Sequence, residues 1–341
     1  MSAARDAEAE TASTAYQVAL ARLGVATVAD ALALWQHLPA QRAPAVTAAW
    51  LRAAVRIVMT RRGHARDLAM AYYRLVRALR TGRTIADPYH PDPAQVTLGM
   101  LRREFAALAT PATAAPTTAA QPDQATPAPS RTLTEDPEPS DDDADRVLVE
   151  EIESLRQEAE RRERDAEREA QIILDQLGPA LLDRKTRDLD PGAPAGQVDA
   201  ARRDTHAQAG ARQAAAAERI ALNGARSTEW ATAQSDRRAL GYIRVSQSGT
   251  PCGWCAMLIS RGAVYKTAAS AEFSDGDKYH DNCHCVAETI FTPEQLTSAR
   301  YALNRAYGQQ WPQVTAGLSG KAALRAWRRF IRQQQASEAP T

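Results

Sequence analysis

The sequence predicts a mainly α-helical fold with a small β-rich unit that carries cysteine and histidine. Three observations carry this prediction. Apolar residues recur at spacings of three and four over most of the chain, as they do on one face of a helix. A stretch rich in Pro, Ala, Thr and Asp separates two such regions. Short alternating segments, which are typical of strands, lie near the four cysteines.

Length and charge narrow the class of protein. With 341 residues the chain is long enough for about two domains and for ordinary apolar cores. Its net charge of +1 gives no overall preference for nucleic acid or membranes. We expect no membrane span, because no apolar run approaches the roughly 20 residues that one needs. The polar N-terminus lacks the apolar segment of a signal peptide, so we expect a reducing cytoplasm, where clustered cysteines more often bind metal than form disulfides.

Residues 1–106 are predicted to form a helical N-terminal domain. Leu68, Tyr72, Leu75 and Leu79 recur at the spacing of one apolar helical face. Many arginines flank this region. We interpret them as the solvated surface of a small helical bundle, because neither a motif nor interleaved aromatic residues indicate nucleic-acid binding.

The composition changes sharply after the N-terminal domain. Residues 107–145 contain mostly Pro, Ala, Thr and Asp, and almost none of them could enter an apolar core. We predict a disordered linker there, extended by its prolines and acidic residues. The C-terminal domain is predicted at 146–332, followed by a disordered tail at 333–341.

The elements of the C-terminal domain follow from its patterns. The stretch 146–177 is predicted to be an exposed helix, because Glu and Arg often lie four residues apart. A second helical region covers about 198–239 and is predicted to break near Gly224. Strands are predicted in the segments GYIRV, GAVYKT and CVAETIFTP, around the cysteines. One helix is predicted to begin at Thr292-Pro293, and a basic terminal helix in GKAALRAWRRFIRQQQ is expected to dock on the domain.

All four cysteines of the chain lie in one Cys/His unit at 252–285, as two close pairs. Cys252 and Cys255 lie one turn apart, so both sulfurs can reach one ion. His280 and Cys283 repeat the same spacing. Two short chelating pairs joined by a loop are the usual construction of a structural tetrahedral zinc site. We therefore predict a structural zinc ion with the ligands Cys252, Cys255, His280 and Cys283, and with Cys285 as the alternate ligand. His284 is expected to point away from the neighbouring cysteines, because successive residues of an extended segment face opposite sides.

Three other arrangements of these residues stay open. The even number of cysteines allows two disulfides between the two pairs, although the missing signal peptide argues against them. A thioredoxin-like redox pair at CGWC needs a βαβ context that the sequence does not indicate. A papain-like Cys–His pair needs one cysteine singled out as nucleophile, and four clustered cysteines argue against it.

The combination of these motifs resembles the C-terminal module of MuF-like phage minor capsid proteins. The resemblance covers residues 215–292, about a quarter of the chain, and includes the run ALNGAR before the cysteines. The matching residues are Cys252, Cys255, Ala256, Leu258, Gly262, Tyr265, His280, Cys283 and Cys285. Members of this family often have proline where this chain has Asp281 and arginine where it has His284, and the segment SRGAVY is longer than their usual turn.

The resemblance implies a phage minor capsid protein that acts in head morphogenesis, without a catalytic site or a small-molecule substrate. It implies a location inside the procapsid near the portal: the host cytoplasm during assembly, and later the interior of the virion. The implied partners are the portal and the major capsid or scaffold proteins, with DNA inside the capsid as a further candidate and no membrane.

Two other functions are retained as alternatives. The first is a capsid maturation protease or a protease fusion, because modules of this kind can be joined to such an enzyme. No serine-centred motif stands out in the sequence, so no catalytic residues are assigned. The second is a cellular zinc-binding interaction module, which a gene located outside a prophage would favour.

Overall fold

The computed structural model describes residues 3–110, 146–190, 192–265 and 279–338, which form a mainly helical fold with two small sheets. The helices are α1 (Ala3–Gln36), α2 (Pro44–Thr81), α3 (Leu98–Ala109), α4 (Glu153–Leu177), α5 (Pro179–Arg187), α6 (Ala195–Ser235), α7 (Gly253–Ser260), α8 (Ala302–Val314) and α9 (Gly320–Glu338). The strands are β1 (Arg83–Ile85), β2 (Leu148–Glu150), β3 (Gly241–Ser246), β4 (Ala263–Tyr265) and β5 (Cys285–Ile290). The predicted fold class is confirmed.

Two predicted irregular segments differ from the structure at their ends. Helix α3 continues to Ala109, and α9 continues to Glu338, so both helices extend into stretches where disorder was predicted. The rest of the predicted linker, 111–145, and the last three residues of the predicted tail lie outside the described residues.

The three longest helices, α1, α2 and α6, form the centre of the molecule. Alanine-rich faces allow them to approach closely, and Tyr16 of α1 stacks on Tyr72 of α2 with ring centroids 4.2 Å apart. One apolar cluster combines residues of α1, α2 and α3 with residues of α6, β3 and β5. Helices from both sides of the predicted linker therefore share a core, while the proposed domain boundaries stay a prediction.

The predicted helix break at Gly224 was wrong, because α6 runs without interruption through this residue. A Cβ atom at position 224 would lie 2.4 Å from the backbone oxygen of Arg62 on α2. Glycine is therefore present at a close helix crossing, where any side chain would collide with backbone, and it does not end the helix.

One helix is apolar enough on average to be compared with a membrane span, although it contains no continuous apolar run of that length. Helix α1 contains an 18-residue window with a mean hydropathy of 1.6, which meets that test by length and composition. One third of the window is buried, and α1 packs against α2 and α6. Core helices of soluble proteins and signal sequences pass the same test, so this single helix is weak evidence for a membrane span.

Two buried carboxylates lie on α6 and just beyond its end. Glu229 is fully buried, and Oγ1 of Thr289 donates to its Oε2 at 2.9 Å. Burial raises the pKa of Glu229 well above its ordinary value, and the nearby Glu288 raises it further. Asp236 accepts hydrogen bonds from Nε of Arg77 at 2.6 Å and from the Tyr73 hydroxyl at 2.8 Å. Although burial raises the pKa of Asp236, these bonds lower it more, to below its ordinary value.

The interpretation of the N-terminal arginines as a solvated surface was wrong for four of them, which are buried and paired with carboxylates: Arg62, Arg74, Arg77 and Arg80.

The three strands predicted near the cysteines form one antiparallel sheet in the order β4-β3-β5. Gly241 pairs with Ile290, and Ser246 at the other end of β3 pairs with Cys285. All six residues of β5 are buried, so Cys285 is held at the first position of a well-packed strand. The parallel pair β1–β2 was not predicted, because three residues per strand are too few to show alternation.

The C-terminal helices pack against α7 and against each other. The chain after Thr292-Pro293 forms two 3-10 segments, Pro293–Thr297 and Ala299–Tyr301, so the α-helix that was predicted to begin there begins only at α8. Helix α9 docks as expected: Trp327 is fully buried, with its ring 5.1 Å from that of Trp311 and 5.6 Å from that of Tyr307.

Candidate metal centre

Three local structures bring the cysteines and His280 together. Cys252 is the N-cap residue of α7, where its sulfur accepts a hydrogen bond from the backbone N–H of Cys255 at 3.4 Å. The segment 280–283 forms a turn in which the N–H of Cys283 donates to the carbonyl of His280 at 3.1 Å. Asn282 has a φ of 60° in this turn, a left-handed conformation that asparagine adopts more readily than most residues. Cys285 then begins β5.

The side chains form two overlapping groups that could hold a metal ion. One group contains Cys252, Cys255 and His280, and the other contains Cys255, Cys283 and Cys285. In each group the ligand atoms lie within 4.8 Å of one another, and Cys255 belongs to both. The ligand set predicted from the sequence therefore spans both groups, and the alternate ligand Cys285 lies beside Cys255 and Cys283.

Three of the ligand pairs lie at separations close to those around a tetrahedral ion. Nε2 of His280 lies 3.1 Å from Sγ of Cys252 and 3.4 Å from Sγ of Cys255, and the sulfurs of Cys255 and Cys283 are 3.4 Å apart. Zinc bonds of about 2.3 Å to sulfur and about 2.0 Å to nitrogen imply ligand separations of roughly 3.8 Å for S–S and 3.5 Å for S–N. These three pairs need only small outward shifts, whereas Cys283 would have to move closer to Cys252 and His280, because it belongs to the second group alone. All four cysteines are free, and the 3.4 Å separation is well beyond the about 2.05 Å of a disulfide bond.

His284 lies apart from both groups. Its side chain is mostly exposed, and its Nδ1 faces Oε1 of Glu218 at 4.0 Å. This placement agrees with the expected alternation of side chains along the extended segment.

The closely spaced sulfur atoms shift one another's pKa values in opposite directions. Hydrogen bonds with Cys255 and His280 lower the pKa of Cys252 to about 4. The hydrogen bond with Cys255 also lowers the pKa of Cys283, whereas the bond with Cys252 raises that of Cys255. Contact with Cys252 raises the pKa of His280 to about 9. The cluster thus contains thiolates next to groups that keep their protons, and a bound cation would displace those protons.

Two buried arginines complete the centre, and sequence reasoning assigned neither of them a role. Arg226 of α6 donates from Nε to the carbonyl of Cys285 at 3.1 Å, and also to the carbonyl of Cys283. Its guanidinium lies 4.2 Å from the ring centroid of Tyr279, and that of Arg244 lies 4.0 Å from the same centroid. Burial alone would lower the pKa of Arg244, but Tyr279 and the cysteines raise it overall.

These arginines match the charge of the expected metal centre. A zinc ion with three thiolates and one neutral imidazole carries a net charge of −1, and fixed cations nearby would stabilise it. The only sequence signal for this role was the run ALNGAR, which ends near Arg226; Arg244 stands in a strand with no distinguishing pattern.

The centre has its own small apolar core. Cys255, Cys283 and Cys285 are buried with Ile259 of α7, Tyr307 of α8 and Trp327 of α9. Metal ligands and the terminal helices therefore stabilise one another by packing.

These features define a mainly α-helical protein with a Cys/His centre that could hold a metal ion. Residues 165–311 match the family model described as VG15 protein, a viral protein family. The matched region runs from within α4 to within α8 and contains all five candidate ligands, which agrees with the phage origin that the sequence resemblance implies. No curated protein and no solved structure matches the chain.

Proposed function

We propose that this chain is a phage minor capsid protein that acts in head morphogenesis, and that its Cys/His centre holds a structural zinc ion. The observation that carries the proposal is the pair of overlapping groups, each with three ligand atoms, inside the region that matches a viral family. The resemblance of residues 215–292 to MuF-like modules supports the capsid role.

A structural ion suits the surroundings better than a catalytic one. Catalytic zinc keeps one position open to solvent or substrate, whereas structural zinc is closed by four protein ligands. Five ligand side chains are available here, and Cys255, Cys283 and Cys285 are buried beneath the terminal helices. Zinc would add its binding free energy to the packing that already stabilises this small unit.

The proposed location is the interior of the procapsid near the portal. The chain would be made in the host cytoplasm, would contact the portal and the major capsid or scaffold proteins, and would remain inside the virion.

The metal assignment is tested by measuring metal content per chain on protein purified without added zinc, with free thiols counted before and after a chelator. We expect about one zinc per chain and additional reactive thiols after chelation. Absence of both metal and free thiols would establish disulfides and contradict the zinc assignment.

The capsid role is tested by co-expression with the portal, scaffold and major capsid proteins of the same phage. We expect this chain to co-purify with assembled procapsids in few copies, while intact mass spectrometry shows an uncut major capsid protein. A chain excluded from the particles would contradict the proposal. Cleavage of the major capsid protein by the purified chain would instead establish the maturation protease alternative.

A further inference from the structure

His280 is a candidate metal ligand at the surface of the protein. Its side chain is exposed, whereas Cys255, Cys283 and Cys285 are buried in the apolar core of the centre. An exposed imidazole can rotate about its side-chain bonds unless other groups hold it. A fixed ligand position for His280 therefore requires residues outside the ligand set.

The ring of His280 is oriented by the next residue in the chain. Its Nδ1 lies 2.7 Å from the carbonyl oxygen of Asp281. Because a carbonyl oxygen can only accept a hydrogen bond, Nδ1 donates its proton to this bond, and the lone pair of the neutral ring is left on Nε2. Nε2 is the atom that faces the sulfurs of Cys252 and Cys255, at 3.1 Å and 3.4 Å. The position of Asp281 thus determines whether His280 directs a ligand atom into the centre.

Asp281 is in turn held by Arg219 of α6. Nε of Arg219 donates to Oδ1 of Asp281 at 2.8 Å, and its Nη1 donates to Oε1 of Glu169 on α4 at 3.0 Å. The side chain of Arg219 is only 8% exposed, so water screens this ion pair less than a pair at the surface. Because two carboxylates from different parts of the chain hold the guanidinium, it gives Asp281 a fixed attachment to α6.

A different fourth ligand is available if this attachment is lost. Cys285 lies in one group with Cys255 and Cys283. It is held by the pairing of β5 with β3, not by the turn 280–283. Release of the turn would therefore withdraw His280 and leave Cys285 in place, and four cysteines would then form the ligand set.

We propose that Arg219 is a positioning residue of the metal centre, which through its ion pair with Asp281 keeps His280 in the ligand set in preference to Cys285. The inference rests on the proposed zinc site and assigns to it a choice between two sets of four ligands. Arg226 does not make this choice, because it donates to the carbonyls of both Cys283 and Cys285.

The test is visible absorption spectroscopy of the full chain after zinc has been replaced by cobalt(II). Sulfur-to-cobalt charge-transfer absorption grows with the number of thiolate ligands, so it distinguishes three thiolates from four. Arg219→Gln and Asp281→Ala each break the ion pair. Asp281→Ala keeps the backbone carbonyl and changes a side chain that is 39% exposed, so it provides the test even if Arg219→Gln fails to fold.

Two variants serve as controls. Arg212→Gln removes an exposed arginine about two turns earlier on the same helix. Asp281→Glu retains the carboxylate that pairs with Arg219. We expect both controls and the unaltered chain to show the spectrum of three thiolates.

Arg219→Gln and Asp281→Ala should each raise the charge-transfer absorption per cobalt by about one third, from three thiolates to four. The double variant should show no further increase, because the two residues act as one pair. Addition of Cys285→Ser to Asp281→Ala removes the substitute ligand and should lower the zinc affinity by about 10–100-fold. Cys285→Ser alone should leave the affinity unchanged.

Unchanged spectra in Arg219→Gln and Asp281→Ala would overturn the proposal, and so would an equal change in Arg212→Gln. A spectrum of four thiolates in the unaltered chain would also overturn it, because His280 would not be a ligand, while the metal site itself would stand. Absence of bound cobalt and zinc in the unaltered chain would contradict the proposed function and this inference with it. The two failures are therefore distinguishable.

Discussion

Replacement of Gly224 by alanine should destabilise the protein, although alanine is the better helix former. The added Cβ would lie 2.4 Å from the backbone oxygen of Arg62, whereas separations under 3.0 Å essentially do not occur. Neither atom belongs to a flexible side chain, so α6 and α2 must move apart by close to about 1 Å in a tightly packed interior.

The size of the effect follows from what that movement disturbs. Arg62 is buried and donates from Nε to Glu163 at 3.1 Å and from its guanidinium to the carbonyl of Ile220 at 3.2 Å. Overpacking in a core costs typically about 1–3 kcal/mol, and the gain in helix propensity offsets about 1 kcal/mol. With strained hydrogen bonds added, we expect Gly224→Ala to lower the free energy of unfolding by about 2 kcal/mol.

Gly63 provides a matched control of opposite sign. It lies next to Arg62 on α2, and a Cβ atom there would meet nothing within 4 Å. Gly63→Ala should therefore raise the free energy of unfolding by about 0.5–1 kcal/mol through helix propensity alone. Urea unfolding followed by circular dichroism measures both changes. If Gly224→Ala were as stable as the unaltered chain, the close approach of α6 and α2 would be refuted.

Three further predictions concern the metal centre and the buried carboxylates. Cys255→Ser should abolish metal binding whichever ligand set is used, because Cys255 belongs to both groups. If Cys285→Ser retains about one zinc, the ligand set is the one that contains His280. Elemental analysis of dialysed protein measures the metal content of both variants. The pKa of Glu229 is raised above its ordinary value of 4.5, so the contribution of this group to stability is complete below pH 4.5 and is lost as the pH rises through the folded-state pKa. Glu229→Gln should therefore reduce the fall in the free energy of unfolding between pH 5 and pH 8. An unchanged slope would contradict the assigned direction of the pKa shift. Asp236→Asn should cost about 3 kcal/mol near pH 7, at the low end of the range for a broken buried pair, because the buried Arg77 keeps only the partly exposed Glu150 as its anion. The pKa of Asp236 is lowered from 3.8, so its contribution to stability is present above pH 3.8 and is lost as the pH falls through the folded-state pKa. If the variant and the unaltered chain still differ in unfolding free energy below that pKa, the effect comes from packing and not from charge.

Local patterns predicted the elements whose signal lies within a few residues. The strands around the cysteines and the docked terminal helix were found because alternation and helical periodicity are properties of neighbouring residues. The role of Gly224 could not be found in this way, because its reason is Arg62, which lies far away in the sequence and adjacent in space. The apolar character of α1 was missed because small alanines and a few polar residues hide it from a search for continuous apolar runs.

The candidate site was likewise predicted only where its signal lies within a few residues. Chelating pairs are visible in the sequence, since both members lie on one turn. The sharing of Cys255 between two groups depends on how α7 packs against the start of β5, and no spacing rule contains that information. Arg226 lies more than 50 residues from the carbonyls that it binds, so its contribution appears only when the helix and the strand are placed together.

The unbroken length of α6 has a mechanical consequence. Its 41 residues form a rod of about 60 Å. Trp35 is attached to this rod by a hydrogen bond to the carbonyl of His206, and the loop of the metal centre is attached to it by Arg226, about 30 Å further along. The rod contains no proline and no hinge between these two attachments. A load applied to the Cys/His loop would therefore be transmitted to the Trp35 attachment through one continuous column of backbone hydrogen bonds, and the two attachments would move together.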